Sequence, residues 1–172
     1  MVRERFGSDN DFMLKVNPNT QPYFGRNVKT AVMGDYPTLA DIDAAYGDNY
    51  SSEWLLPHIA NLALSVGAKN LTIEQEVELA TIIATEYRFI KITEILLFFY
   101  RFKAGYYGKF YGNVDPMVIT CALRDFNQEM SIFRHRYEQE EKMRFREEEL
   151  KTNPPITQDE YLKLKQQKGN GQ

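Results

Sequence analysis

Residues 91–103 read KITEILLFFYRFK, and the fold turns on how this stretch is understood. Ile92, Ile95, Leu96, Phe98, Phe99 and Phe102 fall on nearly every side of a helix. A helix that is apolar almost all round belongs in the middle of a bundle, where other elements cover it. Periodicity alone does not separate such a run from a buried strand. The length of the stretch and the acid at Glu94 select helix.

Working outward, the flanking segments carry helical boundary signals. On the N-terminal side, TIEQ at Thr72 is a capping box: the threonine hydroxyl accepts from the backbone N–H of Gln75, whose side chain reaches back. Ile73, Val77, Ala80, Ile83, Ala84 and Tyr87 then recur at helical spacing and define the expected inward face. Before that, SSEWLLPHIANLALSVG (51–67) predicts a helix capped by Ser51 or Ser52, with Trp54, Leu55, Ile59, Leu62 and Val66 facing inward and Gly67 closing it. Pro57 sits within the first two turns, where a missing N–H costs least. Thr38 and Asp41 predict a short helix that buries Leu39, Ile42 and Ala45. On the C-terminal side, Asp115 and Pro116 are a strong helix start. Val118, Ile119, Ala122, Leu123, Phe126, Met130 and Phe133 form its apolar face. From Arg134 to Lys151 the chain holds six basic and six acidic residues, with Glu138–Lys142, Glu140–Arg144 and Glu147–Lys151 spaced four apart, acid first.

These signals predict an all-α protein: a compact bundle of about five helices with a long charged C-terminal helix extending from the body. The expected organisation is a flexible N-terminal arm over 1–36, a helical body over 37–133, a charged extension over 134–153, and a tail over 154–172 with a short amphipathic helix from Tyr161 to Lys165. The arm is expected because Asn, Asp, Pro and Gly recur there without a sustained period.

Composition narrows the function. Hydrophobic residues are 43% of the chain, enough for a core, while the net charge of −3 leaves nucleic-acid binding to a local patch. The longest apolar run, Ile95 to Tyr100, is far short of the roughly 20 residues that span a bilayer, so no membrane role is expected. One cysteine, Cys121, excludes an internal disulfide; with no apolar signal-type run near Met1, the expectation is a cytoplasmic protein. Cys121 lies on or beside the apolar face of its helix and reads as a packed thiol. GYYGKFYG lacks the spacing and the Ser/Thr of a phosphate-binding loop. His58 and His135 are the only histidines and lie in different helices, too few for a zinc site without carboxylates. No GxSxG nucleophile motif is present. Enzyme activity has no motif to support it, and neither a cofactor nor a metal is expected.

The chemistry that does stand out is RFKAGYYGKFYGNVDP (101–116). From Tyr100 to Gly112 there are six aromatic residues and three cations, uninterrupted by an acid. Rings stack on unpaired bases, cations neutralise phosphates, and glycines allow close backbone approach. Arg101, Lys103, Tyr106, Tyr107, Lys109 and Tyr111 are therefore candidates for contacting single-stranded DNA or RNA. The same residues also fit a structural corner, with rings packed inside and hydroxyls wet, or a protein contact. A second candidate surface is the charged helix. Tyr137, Met143, Phe145 and Leu150 do not hold a heptad, which argues against a coiled coil, but they offer a weak apolar stripe to a partner.

The span YRFKAGYYGKFYGNVDPMVITCALRDF (100–126), with the preceding ITEILLFF (92–99), resembles small helical proteins carried on phages and conjugative elements of gut anaerobes. The likeness covers roughly residues 50–145 and is most specific in the loop. The resemblance brings no catalytic residues. It implies a mobile-element protein in the cytoplasm of a bacterial host, of replication-accessory type. A protein–protein adaptor using the charged helix, bound to a replication or phage protein, and a structural phage component are the alternatives.

Overall fold

Helix α8, Ile92–Lys103, forms the centre of the molecule. Every residue from Ile92 to Phe99 is buried, and Phe102 with them. The computed structural model describes residues 2–67, 71–108 and 115–153. Among these residues there are helices, one short 3-10 turn (Pro18–Thr20) and an isolated bridge, but no strand, so the fold is all-α. Ahead of α8 come α1 (Val2–Phe6), α2 (Asp9–Lys15), α3 (Gln21–Arg26), α4 (Val28–Met33), α5 (Leu39–Tyr46), α6 (Tyr50–Val66) and α7 (Ile73–Glu86); α9 (Pro116–Thr152) follows. The chain divides into two units, residues 1–131 and residues 132–172.

In the first unit α3, α4 and α6 pack on α8, and α7 and α5 pack on α6. The expectation of a flexible arm over residues 1–36 is corrected here. Those residues form four short helices and bury Phe12, Phe24, Ala31 and Val32. None is long enough to show a period, and each is held by tertiary contacts: α3 and α4 pack on α8, α1 packs on α5, and Phe12 of α2 packs against Tyr46, Tyr50 and Trp54. Gly25 of α3 lies so close to the Tyr100 ring that a Cβ would collide with it. The absence of a side chain is thus what lets α3 lie on α8.

The start of α8 is tied to the same N-terminal region. Lys91 Nζ donates to the carbonyls of Val32 (3.0 Å) and Gly34 (2.8 Å), satisfying acceptors at the end of α4. Thr93 Oγ1 donates to Ala31 O at 2.7 Å, and the Lys91 N–H donates to the Glu94 carboxylate at 3.1 Å. Backbone bonds from Leu39 to Ile90 and from Ile92 to Pro37 add a two-way tie around the Thr38–Lys91 bridge.

Boundary signals in the sequence mostly match the structure. The Thr38–Asp41 and Thr72–Gln75 capping boxes form, and Gly67 closes α6 at φ 67. Two readings change. Helix α6 is capped by Asn49, not by Ser51 or Ser52; Ser51 N–H and Oγ–H donate to the Asp43 carboxylate of α5 at 2.6 and 2.8 Å. A tertiary acceptor has replaced the local cap. In α7, Ile73 and Val77 are 76% and 46% exposed, and the buried set is Leu79, Ala80 and Ile83. The helix packs by one flank only, and its spacing permitted either.

A polar knot joins the N-terminal region to α6. The Val16 carbonyl accepts from Trp54 Nε1–H at 2.7 Å and faces His58 Nε2 at 3.3 Å. His58 Nδ1 lies 2.9 Å from Gln21 Nε2, and its ring stacks on Phe99. This geometry suits a neutral ring with its proton on Nε2 and Nδ1 accepting from the Gln21 amide. His58 is fully buried. Burial lowers its imidazole from 6.5 to about 4. Between those values the unfolded chain takes up a proton that the folded chain refuses, so stability falls as pH drops from 6.5 to about 4. Urea unfolding across this range should show a declining midpoint. A His58→Leu variant, weaker at neutral pH, should show a flatter profile over the same window.

The described part of the second unit is the helical segment 132–152 and Asn153. Its surface is largely charged, with Arg144 paired to Glu141 on the preceding turn, and Ile132, Met143, Phe145 and Leu150 are exposed among the charges. The expected tail helix, Tyr161 to Lys165, lies outside the described residues.

Candidate interaction surfaces

The aromatic corner begins where α8 ends. Gly105 (φ 81) and Gly108 (φ 116) take conformations that L side chains rarely adopt, and the Gly105 and Tyr106 N–H groups donate back to Phe102 and Arg101 carbonyls. Asp115 then caps α9, its carboxylate accepting from the Met117 N–H at 2.8 Å.

The six candidate nucleic-acid residues separate into different environments. Arg101 has a side chain only 12% exposed; it pairs with Glu129 at 2.7 Å and lies over the rings of Tyr106 and Phe126. Lys103 donates to Asn61 Oδ1 of α6 at 2.8 Å, and burial lowers its ammonium pKa. Tyr107 packs its ring against Phe98 and Phe102. Its hydroxyl is buried without a hydrogen bond of good geometry. Burial, the larger cause, pushes its phenol up to about 12 against the opposing pull of Arg101. Tyr106 is 67% exposed. Lys109 and Tyr111 fall outside the described residues. Both described candidate cations are therefore engaged, on Glu129 and on Asn61, and of the two described candidate tyrosines it is Tyr106 that presents its ring to water.

Beside the corner lies a groove of about 600 Å³, with Tyr106 and Tyr107 in its lining together with Val118, Cys121 and Ala122 of α9. Its charged lining among the described residues is acidic: Asp115 and Asp125. Carboxylates facing an open groove repel a phosphate chain. Cys121 is exposed here, which corrects the expectation of a packed thiol. Among the described residues no group of three or more His, Cys, Asp or Glu could hold a metal, and no helix is long and apolar enough to cross a membrane.

The four partner-binding candidates also separate. Tyr137 is half-buried, in line with Phe126, Met130 and Phe133 on the turns before it. Phe145 is 70% exposed but stands two residues from Met143, on a different side of the helix. Met143 and Leu150 are 62% and 51% exposed and lie seven residues apart, on one face. Ile132, 62% exposed, falls on that same face eleven residues before Met143. Sequence reasoning missed Ile132 because the apolar face of the body runs through Met130 and Phe133 on either side of it. Its spacing to Leu150, five turns on, was the available signal.

Residues 70–172 match the model of DUF6633, a family of unknown function. The chain belongs to that family. No curated protein and no solved structure matches it. The DUF6633 match takes in α7, α8, the aromatic corner and α9, and leaves α1 to α6 outside.

The Tyr107 environment gives a direct test of the corner as packing. Removing a buried hydroxyl that lacks a good partner costs nothing and relieves a desolvated group, so Tyr107→Phe should leave the melting temperature unchanged or raise it. Tyr107→Ala should destabilise by about 3 kcal/mol or more, as loss of a packed aromatic ring does. Thermal unfolding of the two variants checks both.

Proposed function

We propose that this member of DUF6633 is an accessory protein of phage or mobile-element type that works by binding, and that its docking surface is the helical segment 132–152. Three exposed apolar side chains on one face of a charged helix support this reading: Ile132, Met143 and Leu150. Ion pairs along such a helix add only about 0.2–0.5 kcal/mol each, and most helical stability in proteins comes from packing of an apolar face. A stripe of this kind gains most when a partner covers it. The resemblance in residues 92–126 supports the mobile-element setting, and with it a bacterial cytoplasm and a replication or phage protein as the class of partner.

The test is affinity capture from a host extract with the full chain, the bound protein being identified by mass spectrometry. A Met143→Gln, Leu150→Gln double variant should lose that protein, while Tyr106→Ala should keep it. Retention by the double variant would refute the docking surface.

A second reading places single-stranded nucleic acid at the aromatic corner, and the exposed Tyr106 ring supports it. The engaged state of Arg101 and Lys103 and the acid in the adjoining groove count against it. Fluorescence anisotropy with labelled oligonucleotides at low salt decides: binding that weakens with salt and with Tyr106→Ala would favour the corner, and no binding would end this reading.

A further inference from the structure

We infer that the segment 132–152 pairs with the same segment of a second copy of this chain, as a short, parallel, two-stranded coiled coil. This rests on the reading of that segment as a docking surface and names its occupant. Residues 132, 136, 139, 143, 146 and 150 follow one another four and three apart, which is the spacing of a coiled-coil seam. Ile132, Met143 and Leu150 fill half of it and are all exposed. Gln139 sits midway. Arg136 and Arg146 lay long stems along the seam and carry their charges outward.

The flanking charges choose the occupant. In a parallel pair, a residue just before the seam position on one helix meets the residue five further on in the other. Lys142 then meets Glu147 of the second copy, and His135 meets Glu140. In an antiparallel pair the same positions set Lys142 against Lys142 and Glu140 against Glu140. The antiparallel register also sets His135 against Glu149, so the charges favour the parallel orientation over the antiparallel one rather than forbidding the latter. Parallel register also brings each apolar seam residue against its like. The facing arginines at 136 and at 146 weaken the pair, which makes it reversible and concentration-dependent rather than permanent.

Sedimentation equilibrium of the full chain, from micromolar to near-millimolar concentration, is the experiment. The expected result is a monomer–dimer equilibrium. Leu150→Gln should raise its dissociation constant at least about tenfold, since one leucine is lost from each copy. Arg136→Leu should tighten it. Lys142→Glu should weaken it, and adding Glu147→Lys to that variant should restore it. Arg146→Cys in a Cys121→Ser background should yield a disulfide-linked dimer under mild oxidation, because the two copies of residue 146 face each other only in the parallel form. A chain that stays monomeric throughout, or a dimer indifferent to Leu150→Gln, overturns the proposal. Dimer without the Arg146→Cys cross-link overturns the parallel arrangement. If the chain is monomeric while the Met143→Gln, Leu150→Gln variant still loses its captured protein, self-pairing fails and the docking surface survives.

Discussion

The constraint behind the first unit is the burial of α8. From Ile92 to Phe99 no residue of this helix meets water, so every flank must be covered by something else. Helix α6 covers part of it, and α3 and α4 another part. This explains why α3 and α4 are ordered although such short helices have little stability of their own. Their helicity is secured by contact, chiefly the approach of Gly25 to Tyr100 and the bonds from Lys91 and Thr93 to the end of α4. The burial of α8 and the ordering of α3 and α4 go together, while α1 and α2 are held on α5 and α6 through Phe12 and its ring neighbours Tyr46, Tyr50 and Trp54.

The same constraint shapes the candidate sites. Because α8 is sealed, its last turn hands Arg101, Lys103 and Tyr107 to the surroundings of the core rather than to solvent. A guanidinium placed there is stable only with a counter-charge and a ring face nearby, and Glu129, Tyr106 and Phe126 supply both. An ammonium that is partly desolvated needs an acceptor, and Asn61 provides it. The aromatic and basic composition that suggests a strand platform is accounted for, among the described residues, by the demands of a corner between two helices. The segment 132–152 is under no such demand from α8. Its apolar side chains at 132, 143 and 150 are exposed, and the reading of this segment as a contact surface follows from that difference.

Much of the architecture was legible from local rules. Thr38, Thr72 and Gly67 mark helix ends because a short side chain or a missing Cβ satisfies the last turn without help from elsewhere. The central position of α8 was readable because a helix with no polar side has one kind of environment available. The inward face of α7 was read in part: Ala80 and Ile83 are buried as expected, but Leu79 takes the place of Ile73 and Val77, because period alone does not say which flank meets α6. The cap of α6 was misread because its acceptor, Asp43, belongs to another helix.

By itself the sequence determined the helical class, the main boundaries and the helix at the centre, since these depend on neighbours within a few residues. Tertiary structure alone decided that Phe12, Phe24, Ala31 and Val32 are part of the core, that His58 is a sealed neutral ring, and that Arg101 and Lys103 are already engaged. Each of these depends on which groups far apart in the chain come within a few ångströms of one another. Composition records what a side chain is able to contact; only the packed chain selects the contact that excludes the others.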